Sequence, residues 1–568
     1  MAVQMCRPGE LVGRFILRQA LGDRCPTFQS GGGYTFGEMM IRFIALSLVA
    51  SLFSAVPSWA VDKGTVAPPS QEYVQWIEAA ELACITESKD RPLGDVPPRI
   101  DLSHLKGDQL SLFAAKGSLS SFPVSYDLRP TTYLSPVRNQ GHFGTCWAFG
   151  SFGSLESTFK RRDGISSDFS EAHLAYFAYV DLGPDMPAFT PQEPPFGNDP
   201  IFDQGGNVWK ATAILSRWTG AVKESDRPYQ SVSPWPQELF PLSSDRVSSH
   251  LEQVLFLGSD FHGPSMKSAV MDYGAVAFSM VWSNDFYNVS TDSYYNPTGD
   301  GAGGHAVLLV GWDDHYPRGN FNLDPGSDGA WLVKNSWGEG WGDKGFFWIS
   351  YKEAVFRRPA LFIGASSDNF EYIYQHDPLG WVDSYGFNSD TAWFANVFQV
   401  SGDAGGWQSL EAISLYTGGA NSSYTIEVWS DGTPENPRSG RRIMTPQEGT
   451  IPVPGYHTVR LKEPPYLYDG SRFSVVVKLT TPGYLFPVSI ESPEEGYSDK
   501  AKAANGQSYV SSDGAIWLDM NATRPGTNVC IKAFTSKTDP PPSSGGGCNI
   551  GVNPGILLLA LPMVTLIR

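Results

Sequence analysis

Three side chains far apart in the sequence could together carry out nucleophilic chemistry: the thiol of Cys146, the imidazole of His305 and the amide of Asn335. Gly141, Gly144 and Thr145 make a turn just ahead of Cys146, and Phe149, Phe152, Leu155 and Phe159 then recur near helical period. The pattern predicts an amphipathic helix that begins at Cys146 and carries Lys160, Arg161 and Arg162 in its last turn, where cations suit the dipole. A thiol at a helix start meets the positive end of the macrodipole and unpaired amide donors, and both favour thiolate over a free pKa of about 8.5. Gly303-Gly304-His305 leads into the apolar run Ala306 to Val310, a buried strand that opens on the imidazole. Ala330 to Lys334 is a second strand, ending in Asn335-Ser336-Trp337-Gly338. Taken singly, each residue has a plainer reading: a small buried hydrophobe for the cysteine, a structural histidine, a turn-forming asparagine.

Taken together, the stretches QGHFGTCWAF, GGHAVLLVGWD and WLVKNSWGEGWGDKGFF resemble, in order, the three blocks of the papain family of cysteine peptidases. The resemblance implies Cys146 as nucleophile, His305 as general base and acid, Asn335 as the residue that orients the imidazole, and Gln140 as an oxyanion donor. It implies Trp337 as the ring that shelters His305 and Asn335 from water. Gly205 and Gly206 match the segment where the family pairs its backbone with extended substrate, and Val208 and Ala306 fall where an apolar specificity pocket is expected. A resting thiolate and imidazolium pair follows from these roles, and polypeptides are the implied substrates. Two positions depart from the family pattern. Phe143 stands where a bridging cysteine is usual, and Asp203-Gln204-Gly205-Gly206 lacks the matching one, so the domain must be held by its core alone. The spacing from Cys146 to His305 and Asn335 exceeds the roughly 130 to 150 residues usual for the family. The loop from Asp313 to Asp328 accounts for part of that excess.

These groups must be positioned by the rest of a 568-residue chain, long enough for two or three folded units. Hydrophobic residues make up 41% and charged residues only 18%, with 59 Gly and 43 Pro, which excludes a coiled coil or helical bundle and favours strand-rich domains. A net charge of -18 disfavours nucleic acid as a partner. The expected fold class is α+β: a two-lobed papain-like peptidase domain, with a helical left lobe and a β-barrel-like right lobe, followed by an all-β sandwich. Alternating strands at Tyr424 to Trp429, Tyr456 to Leu461, Arg472 to Leu479 and Val529 to Phe534 indicate the sandwich, which spans 366–535. Its opening and its place after a papain-like unit resemble a lectin-like domain, which implies glycans as partners. No spacing suggests a metal site, and no cofactor is expected.

The remaining segments concern processing and location. Residues 39–60 carry a basic residue, an apolar run and a small-residue site ending at Ala60, the order of a secretory signal peptide, which places 1–38 upstream of the natural start. Residues 61–120 are expected to be a short inhibitory prosegment, with a helix over Glu72 to Thr86, and the peptidase domain to occupy 121–365. A Pro, Ser and Gly linker at 536–547 precedes an uncharged tail at 548–568 that resembles a bacterial C-terminal sorting signal of the Synerg-CTERM type. The protein is therefore expected to be exported and extracellular, or attached to the membrane or cell wall through this tail. A surface adhesin using the peptidase unit as a scaffold is the alternative function.

Overall fold

The protein's structure, a computed structural model, describes residues 62–81, 93–105 and 122–541, apart from 193–194, 196–198, 231–245, 259–263, 302, 403–404 and 434. The expected upstream residues, signal peptide and C-terminal tail lie outside the described residues, as do Cys84 and the junction at 106–121. No described helix is long and apolar enough to cross a membrane.

Four helices matter to the site: α1 (Gln71–Glu81), α2 (Cys146–Asp163), α3 (Glu171–Tyr179) and α4 (Val208–Ser216). Helix α2 is buried from Cys146 to Phe159 and packs with α3 and α4 in one apolar core, the helical lobe. Its end follows from sequence: Gly164, in the left-handed region at φ 71°, donates its N–H to the Lys160 carbonyl. One glycine on its inner face, Gly153, sets how closely it docks. A Cβ on Gly153 would lie 2.2 Å from Leu308 Cδ1, so only glycine lets α2 lie this close to the strand that carries His305.

That strand belongs to a long mixed sheet. Its members are β1 (Ser249–Phe256), β2 (Val276–Trp282), β3 (Gly303–Asp313), β4 (Ala330–Lys334), β5 (Phe346–Ser350) and β6 (Phe356–Ser366), in the order β1-β6-β2-β3-β4-β5. A second core of aliphatic and tryptophan side chains fills this lobe.

The C-terminal half is all-β, except for one short helix. Strands β7 (Thr391–Gln399), β8 (Trp407–Thr417), β9 (Ser422–Ser430), β10 (Gly455–Arg460), β11 (Arg472–Thr480), β12 (Ser508–Ser511) and β13 (Ile531–Thr538) enclose a third core. The run β9-β11-β7-β12 lies in one sheet. The run β13-β8-β10 joins the sheet of β1 to β6 through β10 and β1, with Tyr456 opposite Val254. The two halves thus share hydrogen-bonded sheet, where the sequence suggested two separate units in series.

Residues 62–81 and 93–105 bind both halves. Thr65–Val66 pairs with Tyr385 and Gly386 of the β-domain, Tyr73 enters the helical core, and Arg99 bonds Asp383 and Glu494. Helix α1 (Gln71–Glu81) covers the early part of the expected 72–86 helix, and 82–86 lie outside the described residues.

Candidate active site

Cys146 is the first residue of α2 and is fully buried, and its sulfur accepts the Ala306 N–H at 3.4 Å. The docking of α2 on β3 therefore brings the thiol beside the residue that follows His305. The His305 Nε2–H donates to Asn335 Oδ1 at 2.8 Å, and the Ser336 N–H donates to the same oxygen at 2.8 Å. Two donors on that oxygen fix the amide's orientation, and they place the ring proton on Nε2. Nδ1 of His305 is then the basic nitrogen, buried and without a hydrogen-bond partner. Trp337 stacks on the imidazole, centroids 4.6 Å apart and planes 21° apart. Trp282 and Trp341 each pack edge-on against Trp337 at 4.9 Å, completing an aromatic wall that the sequence reading did not anticipate.

Gln140 is fully buried on the loop before α2. Its Nε2 donates to the Phe143 carbonyl at 2.9 Å and its Oε1 accepts from Ser336 Oγ at 2.6 Å. Gln140→Ala is expected to lower kcat on the order of 10²- to 10³-fold, as for other oxyanion donors. It would also lower stability by about 1 to 3 kcal/mol, because those two partners lose their bonds. Steady-state kinetics and a denaturant melt on the same preparation check both.

Where a disulfide is usual, the chain uses other ties. Phe143 packs on Phe202 at 5.6 Å, and the Gly144 N–H donates to Asp203 Oδ1 at 3.0 Å. Val208 opens α4 and is largely buried, as is Ala306, which lies directly across the sheet from Ser279. Polar groups lie near these two residues as well: Ser279 and Arg358 both bind the carboxylate of Asp95.

The cleft is filled by the chain's own residues 93–96. Asp95 donates its N–H to the Gly304 carbonyl at 3.1 Å, Val96 donates to the Gly206 carbonyl at 2.8 Å, and the Gly206 N–H donates to the Gly94 carbonyl at 2.8 Å. The Gly94 N–H also reaches the Cys146 sulfur. The fit is tight, since a Cβ on Gly94 would lie 2.0 Å from the Gly144 carbonyl oxygen. One Asp95 oxygen accepts Ser279 Oγ at 2.8 Å and the other pairs with Arg358, which in turn bonds Glu72 of α1 at 2.9 Å. Nothing in the spacing of Leu93-Gly94-Asp95 signalled this contact.

Burial pushes the Cys146 thiol up to about 12, with Asp95 adding to the shift, and burial pushes His305 down to about 4 despite its bond to Asn335. Both shifts run against the ion pair expected from sequence. Lost hydration outweighs the helix dipole here. Iodoacetamide labelling of Cys146 in the intact chain should consequently be slow from about pH 6 to 9 and climb with pH, since only thiolate reacts. A plateau already reached near pH 7 would mean that the ion pair exists beneath the segment.

Fold and site define a papain-like peptidase domain joined to an all-β lectin-like domain. Residues 122–358 match the papain family cysteine protease model and residues 373–535 a lectin-like domain model. Cathepsin L1 of Drosophila melanogaster is 30% identical over 230 residues, 40% of this chain and 53% of that protein, so the chain spans about half the length of this relative. Among solved structures, the cysteine protease and lectin-like domains of Cwp84, a surface layer associated protein of Clostridium difficile, align with a TM-score of 0.67 at 24% identity, over 84% of this chain and 99% of that one. The clostridial cysteine protease Cwp84 after propeptide cleavage aligns with a TM-score of 0.61 at 25% identity, over 73% of this chain and 99% of that one.

Proposed function

We propose that the protein is a cysteine peptidase, exported as a precursor, that cleaves polypeptides through a thioacyl enzyme. The observation that carries this reading is the convergence of Cys146, at a helix start, with a His305 whose Nε2–H is tied to Asn335 and whose Nδ1 is left as the base. In the open cleft His305 takes the thiol proton, and the thiolate attacks the substrate carbonyl. The Cys146 backbone N–H and the Gln140 amide stabilise the oxyanion. Protonated His305 then hands its proton to the leaving amine, and water, activated by the same imidazole, hydrolyses the thioester. Asn335 and Trp337 hold the ring through both transfers.

Residues 61–120 act as the inhibitory prosegment. The contacts of Gly94, Asp95 and Val96 across the cleft support this, and so does the neutral, desolvated state of the thiol beneath them. Removal of the signal peptide and recognition of the sorting tail would leave the mature protein at the cell surface or released from it. The lectin-like domain would supply glycan contacts there. Incubating the protein, cleaved ahead of Phe122, with an unfolded protein substrate tests the core of the reading. Cleavage that is lost in Cys146→Ala supports it, and equal cleavage by both would rule it out.

A further inference from the structure

The strongest feature outside the reacting atoms is the buried guanidinium of Arg358. Its side chain is 11% exposed, and it lies at a bulge where the pairing of β6 with β2 shifts register. Arg358 itself takes the left-handed conformation, φ 53°, which costs about 1 to 2 kcal/mol for a residue with a Cβ. Strain of this kind is retained where a side chain must be aimed. Here it aims the guanidinium between Glu72 and Asp95. Asp95 is the residue whose backbone is bracketed by Gly206 and Gly304, so its side chain occupies the subsite beside Gly206.

Both carboxylates that hold Arg358 above its ordinary pKa, Asp95 and Glu72, come from the segment before the peptidase domain. When that segment leaves, the guanidinium stays behind on β6, near Ser279, with neither of them. Its Nε has no partner even in the closed state. A peptide running opposite to residues 93–96 can use the same Gly206 N–H and carbonyl through an antiparallel pair. It would then present one side chain to this guanidinium. We infer that the subsite formed by Gly206, Ser279 and Arg358 selects an acidic substrate side chain, and that Asp95 occupies the closed cleft as a mimic of it. This rests on the peptidase reading and replaces the apolar preference expected from Val208 and Ala306.

The test uses the processed protein and three peptides that differ only at the residue paired with Gly206: Asp, Asn or Leu. The expected kcat/KM favours Asp by about tenfold or more over both, because either alternative leaves a buried charge unpaired. In Arg358→Leu the Leu peptide should become the better substrate. Should that variant fail to fold, the comparison of Asp with Asn on the unaltered protein decides the matter, since the two differ in charge and hardly in size. A preference for Leu, or equal rates with Asp and Asn, overturns the subsite assignment and leaves the peptidase reading standing. Cleavage of none of the three peptides would overturn the peptidase reading and this inference with it.

Discussion

Replacing Cys146 with alanine is expected to abolish peptide cleavage while leaving the fold intact. The thiol is fully buried and accepts the Ala306 N–H at the long distance of 3.4 Å and the Gly94 N–H of the covering segment; sulfur is a weak acceptor, so little of the fold depends on these bonds. A cavity the size of one sulfur atom costs about 1 kcal/mol or less in a core that can relax around it. Catalysis, in contrast, loses the only atom that can form the covalent intermediate. Where a nucleophile has been removed from a comparable constellation, kcat fell on the order of 10⁶-fold, leaving only what binding and oxyanion stabilisation supply. The measurement is kcat on a peptide substrate beside a thermal melt. Activity within about tenfold of the unaltered protein would assign the chemistry to another group.

The second large effect concerns residues 93–96. They hydrogen-bond to Gly206 on one side of the cleft and to Gly304 on the other, and Asp95 pairs with Arg358; the proposed inhibition rests on these contacts. Because the segment belongs to the same chain, it acts at an effective concentration no diffusing substrate matches. An open population near 1% in the intact protein would make opening worth on the order of 100-fold in rate. Gly94→Val is expected to achieve this without shortening the chain. The added side chain would start 2.0 Å from the Gly144 carbonyl oxygen, a backbone atom that cannot swing aside as a side chain could. The variant precursor should therefore cleave peptide at a rate approaching that of the processed protein, with the β-domain contacts of Thr65, Val66 and Arg99 still in place. Rates equal to those of the unaltered precursor would mean that the closed cleft does not limit activity.

The same molecule shows which features a sequence makes legible. The helix from Cys146 and the strands around His305 and before Asn335 could be read because periodic apolar residues, glycine turns and a charged last turn are local signals. The core strands of the β-domain were readable for the same reason; β9 spans Ser422–Ser430 and β11 spans Arg472–Thr480, close to the alternating runs that suggested them. The pairing of β10 with β1 was not readable, since it depends on two edges meeting across some two hundred residues of chain and leaves no local pattern. Arg358 was missed because its importance comes from a bulge and a positive φ that no neighbouring residue type announces. The ionisation state of the dyad was missed for a related reason. Helix polarity is written in the sequence near Cys146, whereas the burial that opposes it depends on the tertiary fold around the thiol.

One measurement bears most directly on the account that Cys146 is the nucleophile and that residues 93–96 control it. A thiol-directed epoxide is added to the intact protein and to the protein cleaved ahead of Phe122 and separated from the freed segment, and the modified residue is located by peptide mapping. The account predicts an adduct on Cys146 that forms rapidly in the processed protein and slowly in the intact one. It also predicts no adduct on Cys530, which is buried in the β-domain. An unmodified Cys146 in the processed protein, or equal rates in both forms, would contradict it.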